Sequence, residues 1–291
     1  MGAAAAILRI ATRSSLQART QAEVVGAAIA ATNPGLQTEL VFVDTVGDQR
    51  QDVPLHTIGG QGVFVKEVQR AVLDGRADIA VHSAKDLPST PADGLTIVAF
   101  TERRDPRDAL VGSTLDGLAL GATVASGSVR RRAQLHALRP DLQFAELRGN
   151  IQTRLGKVPA RGAIVMAVAA LQVLQLQHEI GQIMDVDSMV PAVGQGCVAI
   201  ECRSDDSMTA EAVLRIDHAQ TRAAVEAERA FLAELGSGCS LPIGAHVDGG
   251  VLHAFLAEDA GRALQTSVRL GHDWNRSAAQ AARALLAELQ R

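Results

Sequence analysis

The sequence predicts an α/β protein of three domains, and three observations carry that prediction. Short apolar runs of strand length alternate with segments of helical period through the first two thirds of the chain. The alternation restarts after Phe100, and the last third changes to glycine-rich turns, alternating strands and one closing helix. The chain's 291 residues also exceed what one ordinary core holds. The expected division is a discontinuous first lobe (1–101 with 197–216), a second lobe (102–196) and a C-terminal domain (217–291).

The elements follow in order. Ile7–Thr12 reads as a strand, and Ser14 or Ser15 caps a helix running to Ala31. Leu40–Asp44 is a second strand, Val63–Leu73 a helix, and Asp78–His82 and Thr96–Phe100 are short buried strands. Polar Thr101–Asp108 reads as a crossover. The second lobe then gives strands at Ala122–Ser126, Phe144–Leu147 and Ala163–Ala167, with helices at Val129–Leu138 and from Ile151 to Gly156. Val198–Cys202 is a strand returning to the first lobe, and Thr209–Leu235 one helical stretch. Strands around Val247 and over Val251–Leu256, then a helix over Ser277–Leu289, make a small α+β domain. Such alternation predicts parallel sheets flanked by helices.

Composition removes several function classes. Aromatic residues are 2% with no tyrosine, so the stacking platforms of single-stranded nucleic-acid binders are missing. No apolar run reaches the roughly 20 residues that span a bilayer. The alanine-rich start is broken by Arg9 and reads as a tail into the first strand, not as a signal peptide. Three cysteines, Cys197, Cys202 and Cys239, lack metal or disulfide spacing and fit reduced thiols in a cytoplasmic protein. The histidines have no metal-ligand spacing either, so no metal site is expected. Net charge is −4, yet cations outnumber acids between Arg103 and Arg161. That segment fits either a locally held anionic ligand or a solvated basic surface; its arginines, whose forks match carboxylates, favour the first.

In open α/β sheets ligands bind beyond the carboxyl ends of the strands. The polar groups predicted there are Arg13, Ser15, His82–Asp86, Ser126–Arg132 and Arg148–Arg154, which would face one another across a cleft between the lobes. Lys85-Asp86 is a surface ion pair in most contexts, but at a strand end inside a cleft the carboxylate can stabilise a developing cation or exchange a proton. Gly59-Gly60-Gln61-Gly62 lacks the phosphate-loop pattern and reads as a flap entering the helix of Phe64. Cys239, in Gly236-Ser237-Gly238-Cys239, is either a small loop filler or a functional thiol.

Taken together these pieces resemble the porphobilinogen deaminase (hydroxymethylbilane synthase) family over nearly the whole chain. The resemblance lies in Arg9-Ile10-Ala11-Thr12-Arg13, Phe64-Val65-Lys66-Glu67, Asp78-Ile79-Ala80-Val81-His82-Ser83 with Lys85-Asp86, and Asp105-Pro106-Arg107-Asp108-Ala109. It continues through Leu147-Arg148-Gly149-Asn150 with Thr153-Arg154-Leu155, Pro191-Ala192-Val193-Gly194-Gln195-Gly196, and Gly238-Cys239 with Pro242-Ile243-Gly244, in the family's order.

The resemblance implies two periplasmic-binding-protein-like lobes around a cleft, and a small domain whose cysteine, here Cys239, carries a dipyrromethane cofactor through a thioether. It implies a transferase that condenses four porphobilinogens on that primer with loss of ammonia and releases hydroxymethylbilane, in the cytoplasm and as a monomer. Asp86 would be the catalytic carboxylate. Lys85, Ser126, Ser128, Arg130 and Arg131 would hold the cofactor; Arg13, Ser15, Arg148 and Arg154 would hold the substrate; Gly59, Gly60, Gln61, Gly62 and Phe64 would form the flap. Arg132 lies just beyond the double-arginine motif and is left out. The chain departs from the family pattern at Gln61, where the flap usually has lysine, and at Val46, where an arginine usually stands. A second reading, a weakly active or inactive paralogue binding a similar polycarboxylate, stays open at this level.

Overall fold

In a computed structural model the described residues are 6–45, 62, 64–236, 242–258 and 261–291. Gly59, Gly60, Gln61, Val46 and Cys239 lie outside them. The described chain gathers into two compact units. The first holds the described residues up to Arg103 together with Cys197–Arg222, and the second holds Arg104–Gly196 with Ala223–Arg291.

The first unit is built on a five-stranded sheet. Its strands are β1 (Ala6–Arg13), β2 (Leu36–Val43), β3 (Ile79–Ser83), β4 (Leu95–Phe100) and β10 (Val198–Arg203), in the order β2-β1-β3-β10-β4. β1 runs parallel to both β2 and β3, with Ala11 opposite Ala80. β10 is antiparallel to β3 and β4, so the sheet is mixed and not parallel as predicted. The helix period of the flanking segments says nothing of the direction of a strand that returns from elsewhere in the chain. Helix α1 (Leu16–Thr32) turns Ala22, Val25 and Ile29 onto Leu8, Ile10 and Ile200. Helix α2 (Lys66–Leu73) covers the other face with Val68, Ala71 and Val72 against Ala11 and Ala80.

The second unit repeats the plan with β5 (Asp108–Val111), β6 (Thr123–Ala125), β7 (Gln143–Ala145), β8 (Ala163–Ala167) and β9 (Ile180–Ile183), ordered β7-β6-β8-β5-β9. β6 is parallel to β7 and β8, whereas β5 is antiparallel to β8 and β9. β5 begins where the sequence predicts only the end of a crossover, and β9 is likewise absent from the predicted elements. Helices α3 (Val129–Leu138), α4 (Ile151–Leu155) and α5 (Val168–Val173) flank the sheet.

The predicted single helix over Thr209–Leu235 is two helices, α6 (Ser207–Leu214) and α7 (Ala219–Glu234). Neither glycine nor proline marks the break. Asp217 leaves the helical path to accept the Phe100 backbone N–H at 2.8 Å, and His218 Nδ1 accepts from the Thr221 N–H at 3.2 Å, capping α7. The C-terminal part of the second unit is an antiparallel sheet, β11 (Ile243–Asp248), β12 (Val251–Ala257) and β13 (Ala263–Arg269), with α8 (Trp274–Leu289). Phe231 from α7 and Ala278, Ala282 and Leu285 from α8 close its core over Leu252, Ala254 and Leu256.

Candidate active site

Parallel pairing places the carboxyl ends of β1 and β3 side by side, and the functional residues of the first unit start there. β1 ends at Arg13, whose guanidinium carbon lies 4.1 Å above the centre of the Phe64 ring. Ser15 caps α1 by accepting the Ala18 N–H at 3.4 Å; of the two candidate serines it is the cap. β3 ends at Ser83 and passes directly into a short 3₁₀ turn, Ala84–Asp86, which carries Lys85 and Asp86. Leu87 anchors the turn, being buried, while Asp86 is half-buried. The Asp86 carboxylate makes no hydrogen bond or ion pair with another described residue.

Beneath the end of β3 lies a polar cluster that sequence reasoning did not find. Gln69 on α2 donates to the buried Glu201 carboxylate at 2.9 Å, and His82 Nε2 stands 3.1 Å from Glu201 Oε2. These contacts tie α2, β3 and β10 together below the Lys85–Asp86 turn. An isolated Glu in an apolar strand, Val198–Arg203, was the signal available.

In the second unit the strand-end groups come from β6 and β7. Ser126 follows β6, and its hydroxyl accepts from the Ser128 N–H at 3.3 Å. Ser128 caps α3, accepting from the Arg131 N–H at 3.4 Å, which aims the first turn of the helix and its two arginines inward. Arg130 donates to Asp108 Oδ2 at 2.8 Å, and Arg131 donates to Asp108 Oδ1 at 2.7 Å. Gln195 Nε2 adds a third donor to Asp108 at 2.8 Å. Burial would raise the Asp108 pKa, but the charges of Arg130 and Arg131 outweigh it and hold the group well below the ordinary carboxylate range. Burial lowers the pKa of Arg130, and Asp108 opposes that shift.

Two guanidiniums thus share one carboxylate in a buried cluster, and their other ends donate to backbone carbonyls, Arg130 to Val190 O and Arg131 to Val165 O.

Arg148 and Arg154 come from the segment after β7. Gly149 has φ +113° and an added Cβ would stand 2.7 Å from the Thr153 side chain, so only glycine allows this tight entry into α4. Asn150 caps α4 through Thr153 N–H at 2.9 Å, and Arg154 Nε donates to Gly149 O at 2.8 Å. Both arginines are half-buried.

The two described cysteines are poor nucleophiles. Cys197 and Cys202 are buried, and burial pushes the Cys202 thiol up to about 11. Among the described residues no cluster of His, Cys, Asp or Glu could hold a metal ion, and no helix is long and apolar enough to cross a membrane.

The residue types in each unit fit the chemistry of a dipyrromethane: the second unit carries guanidiniums and serine hydroxyls, which suit acetate and propionate groups, and the first carries an Asp86 carboxylate that no other described residue engages, which suits pyrrole N–H groups. Each unit contains a mixed sheet whose parallel strands end in polar and cationic residues, which marks a mixed α/β protein. The chain belongs to the porphobilinogen deaminase family. Residues 8–211 match the family model described as porphobilinogen deaminase, dipyromethane cofactor binding domain, and residues 222–254 match that of the porphobilinogen deaminase C-terminal domain. A curated porphobilinogen deaminase of Trichlorobacter lovleyi is 44% identical over 243 residues, 82% of this chain and 78% of the relative.

Solved structures resemble the chain only loosely. The methionine-binding protein MetQ is 17% identical over 80% of this chain and 96% of its own, with a TM-score of 0.45. The effector-binding domain of BenM with benzoate is 17% identical over 73% of this chain and 92% of its own, with a TM-score of 0.42.

Proposed function

We propose that this protein is a hydroxymethylbilane synthase: it deaminates porphobilinogen and joins four molecules head to tail on a dipyrromethane held by Cys239, releasing hydroxymethylbilane. The observation that supports it most is the family match over 8–211, together with an Asp86 carboxylate that no other described residue engages. The reading extends to three domains with the boundaries given above, a cytoplasmic monomer, and no nucleic acid or membrane as partner.

When bound, the dipyrromethane supplies the nucleophilic pyrrole carbon on which the chain is extended. Lys85, Ser126, Ser128, Arg130 and Arg131 hold its carboxylates, and Arg13, Ser15, Arg148 and Arg154 hold those of the incoming substrate. Each pyrrole added brings about two negative charges, and charge-assisted bonds contribute roughly 1.5–3 kcal/mol each when partly desolvated. Protonated Asp86 would hand its proton to the departing amine; the carboxylate so formed would accept pyrrole N–H groups and balance positive charge on the reacting ring, and would regain a proton when the newly joined pyrrole carbon loses its hydrogen.

Intact mass tests the proposal. The purified protein is expected to carry one dipyrromethane, mapping to the peptide that contains Cys239. Unmodified protein that also fails to take up porphobilinogen would leave the inactive-paralogue reading standing, and an adduct on Cys197 or Cys202 would reject the cysteine assignment.

Arg148→Leu and Arg154→Leu are each expected to slow tetrapyrrole assembly with little change in thermal unfolding, because both side chains are half-buried, one in the segment after β7 and the other on the short helix α4, and neither belongs to a core. Unfolding that shifts markedly while the kinetics stay normal would make them structural.

Gln61 bears on affinity. Restoring the charge with Gln61→Lys is expected to lower KM for porphobilinogen by up to about tenfold, the equivalent of 1.4 kcal/mol. The gain should shrink at high salt, since exposed charges are screened beyond about 8–10 Å. An unchanged KM at low salt would show that residue 61 does not meet the substrate.

A further inference from the structure

The geometry points to Arg132 as a positioning residue that sets the spacing between the two anion-binding segments of the second unit, 126–131 and 146–154; the inference rests on the functional reading above. Arg132 lies one turn into α3, past the two arginines that face Asp108. Its Nε donates to Ser126 O at 2.6 Å, at the end of β6. Its Nη2 reaches the neighbouring strand, donating to Ala145 O at 3.2 Å and to the Glu146 carboxylate at 2.7 Å. One guanidinium therefore grips the last residues of both parallel strands at the point where each gives way to a binding segment. Ser126 N–H donates to the same Ala145 oxygen at 2.9 Å.

The two segments are also in tight contact. A Cβ on Gly127 would stand 2.9 Å from Leu147 O and 3.4 Å from Glu146 Oε2. A loop pressed this closely against its neighbour transmits any shift of one strand end to the other. Ser128 and Arg131 lie immediately on one side of the grip, and Arg148 on the other. The planar fork of arginine suits this arrangement because it holds two carbonyls and a carboxylate at fixed angles, which a lysine ammonium on a flexible stem does not.

Arg132 spends its guanidinium on Ser126, Ala145 and Glu146, and the proposed mechanism assigns the chemistry to a different residue, Asp86. Loosening the grip should therefore weaken binding in ground state and transition state alike, which raises KM and leaves kcat nearly unchanged. Stability should change little, because the Arg132 and Glu146 side chains are 28% and 41% exposed and water can replace the lost donors.

The test compares wild-type protein with Arg132→Ala and Arg132→Lys, measuring KM and kcat for porphobilinogen, the fraction of purified protein carrying the dipyrromethane mass, and Tm. Both variants are expected to raise KM at least about fivefold and to lower the loaded fraction, with kcat within about threefold. Tm should stay within about 3 °C. Wild-type KM and loading in Arg132→Ala would overturn the inference. So would full rescue by Arg132→Lys, which would show that only the charge matters, or a large fall in Tm with unchanged kinetics, which would make the residue part of the fold. Wild-type protein with neither adduct nor turnover would instead reject the functional reading itself.

Discussion

Asp108→Asn is expected to lower Tm by about 6–20 °C, the largest stability loss among the substitutions considered at these sites. Asp108 is fully buried, and Arg130, Arg131 and Gln195 all donate to its carboxylate. An asparagine turns amide hydrogens toward guanidinium hydrogens and leaves two cations buried without a counter-charge. Removing one member of a buried ion cluster costs about 3–5 kcal/mol, and in a chain of this size each kcal/mol shifts Tm by about 2–4 °C. The pH dependence has a definite sign. The native pKa of Asp108 is depressed, so its contribution is complete above the unfolded value of about 3.9. It is lost as pH falls through the lower native value. The gap between wild-type and Asn melting curves should thus be full at neutral pH and narrow below about pH 4. A Tm within 2 °C of wild type would mean that the two arginines find other partners, and that the cluster is not what seats them.

How much of this was legible in the sequence depends on where each element's instructions lie. Helix α3 and strand β8 have the boundaries the sequence predicts, Val129–Leu138 and Ala163–Ala167. Their signals are local: a serine cap ahead of the helix, and an apolar run bounded by polar turns. Strand β5 was missed because its four residues start with the charged Asp108 and follow a polar crossover, and what makes Asp108 a strand residue is a pair of arginines more than 20 positions later. The break at Asp217–His218 was invisible for the same reason, since its hydrogen bonds go to Phe100 and to the next helix. β13 was missed because its exposed and half-buried residues alternate along a strand at the edge of its sheet, with little apolar content. Strand direction has no signature in hydrophobic period, hence the two mixed sheets.

The candidate site divides the same way. Residue types at strand ends were readable, because a βα connection puts its polar residues there. Partners were not. Arg130 and Arg131 were readable as cations, but not as joint holders of a buried aspartate. Arg132 reads in sequence as a third member of a basic run, and only its hydrogen bonds to Ser126 and Ala145 set it apart.

Asp86→Asn is expected to reduce turnover about 100- to 1,000-fold while leaving the fold intact. Under the proposed mechanism the asparagine keeps the size and one acceptor oxygen, so pyrrole N–H groups would still have a partner, but the negative charge that would balance the cationic reacting ring is gone. Losing a preorganised electrostatic group of this kind typically costs about 10²–10³ in rate. The amide also cannot hand a proton to the departing amine, which removes any general-acid share. Stability should hardly move, because Asp86 is half-buried, sits in a turn anchored by the buried Leu87, and holds no other described side chain. That contrast separates it from Asp108: one carboxylate is fully engaged inside the fold and should matter to unfolding, whereas the other engages no described residue and should matter to chemistry. Tm and kcat measured on the same preparation decide between them. Turnover of Asp86→Asn within a few-fold of wild type, at unchanged Tm, would show that another group carries the reaction.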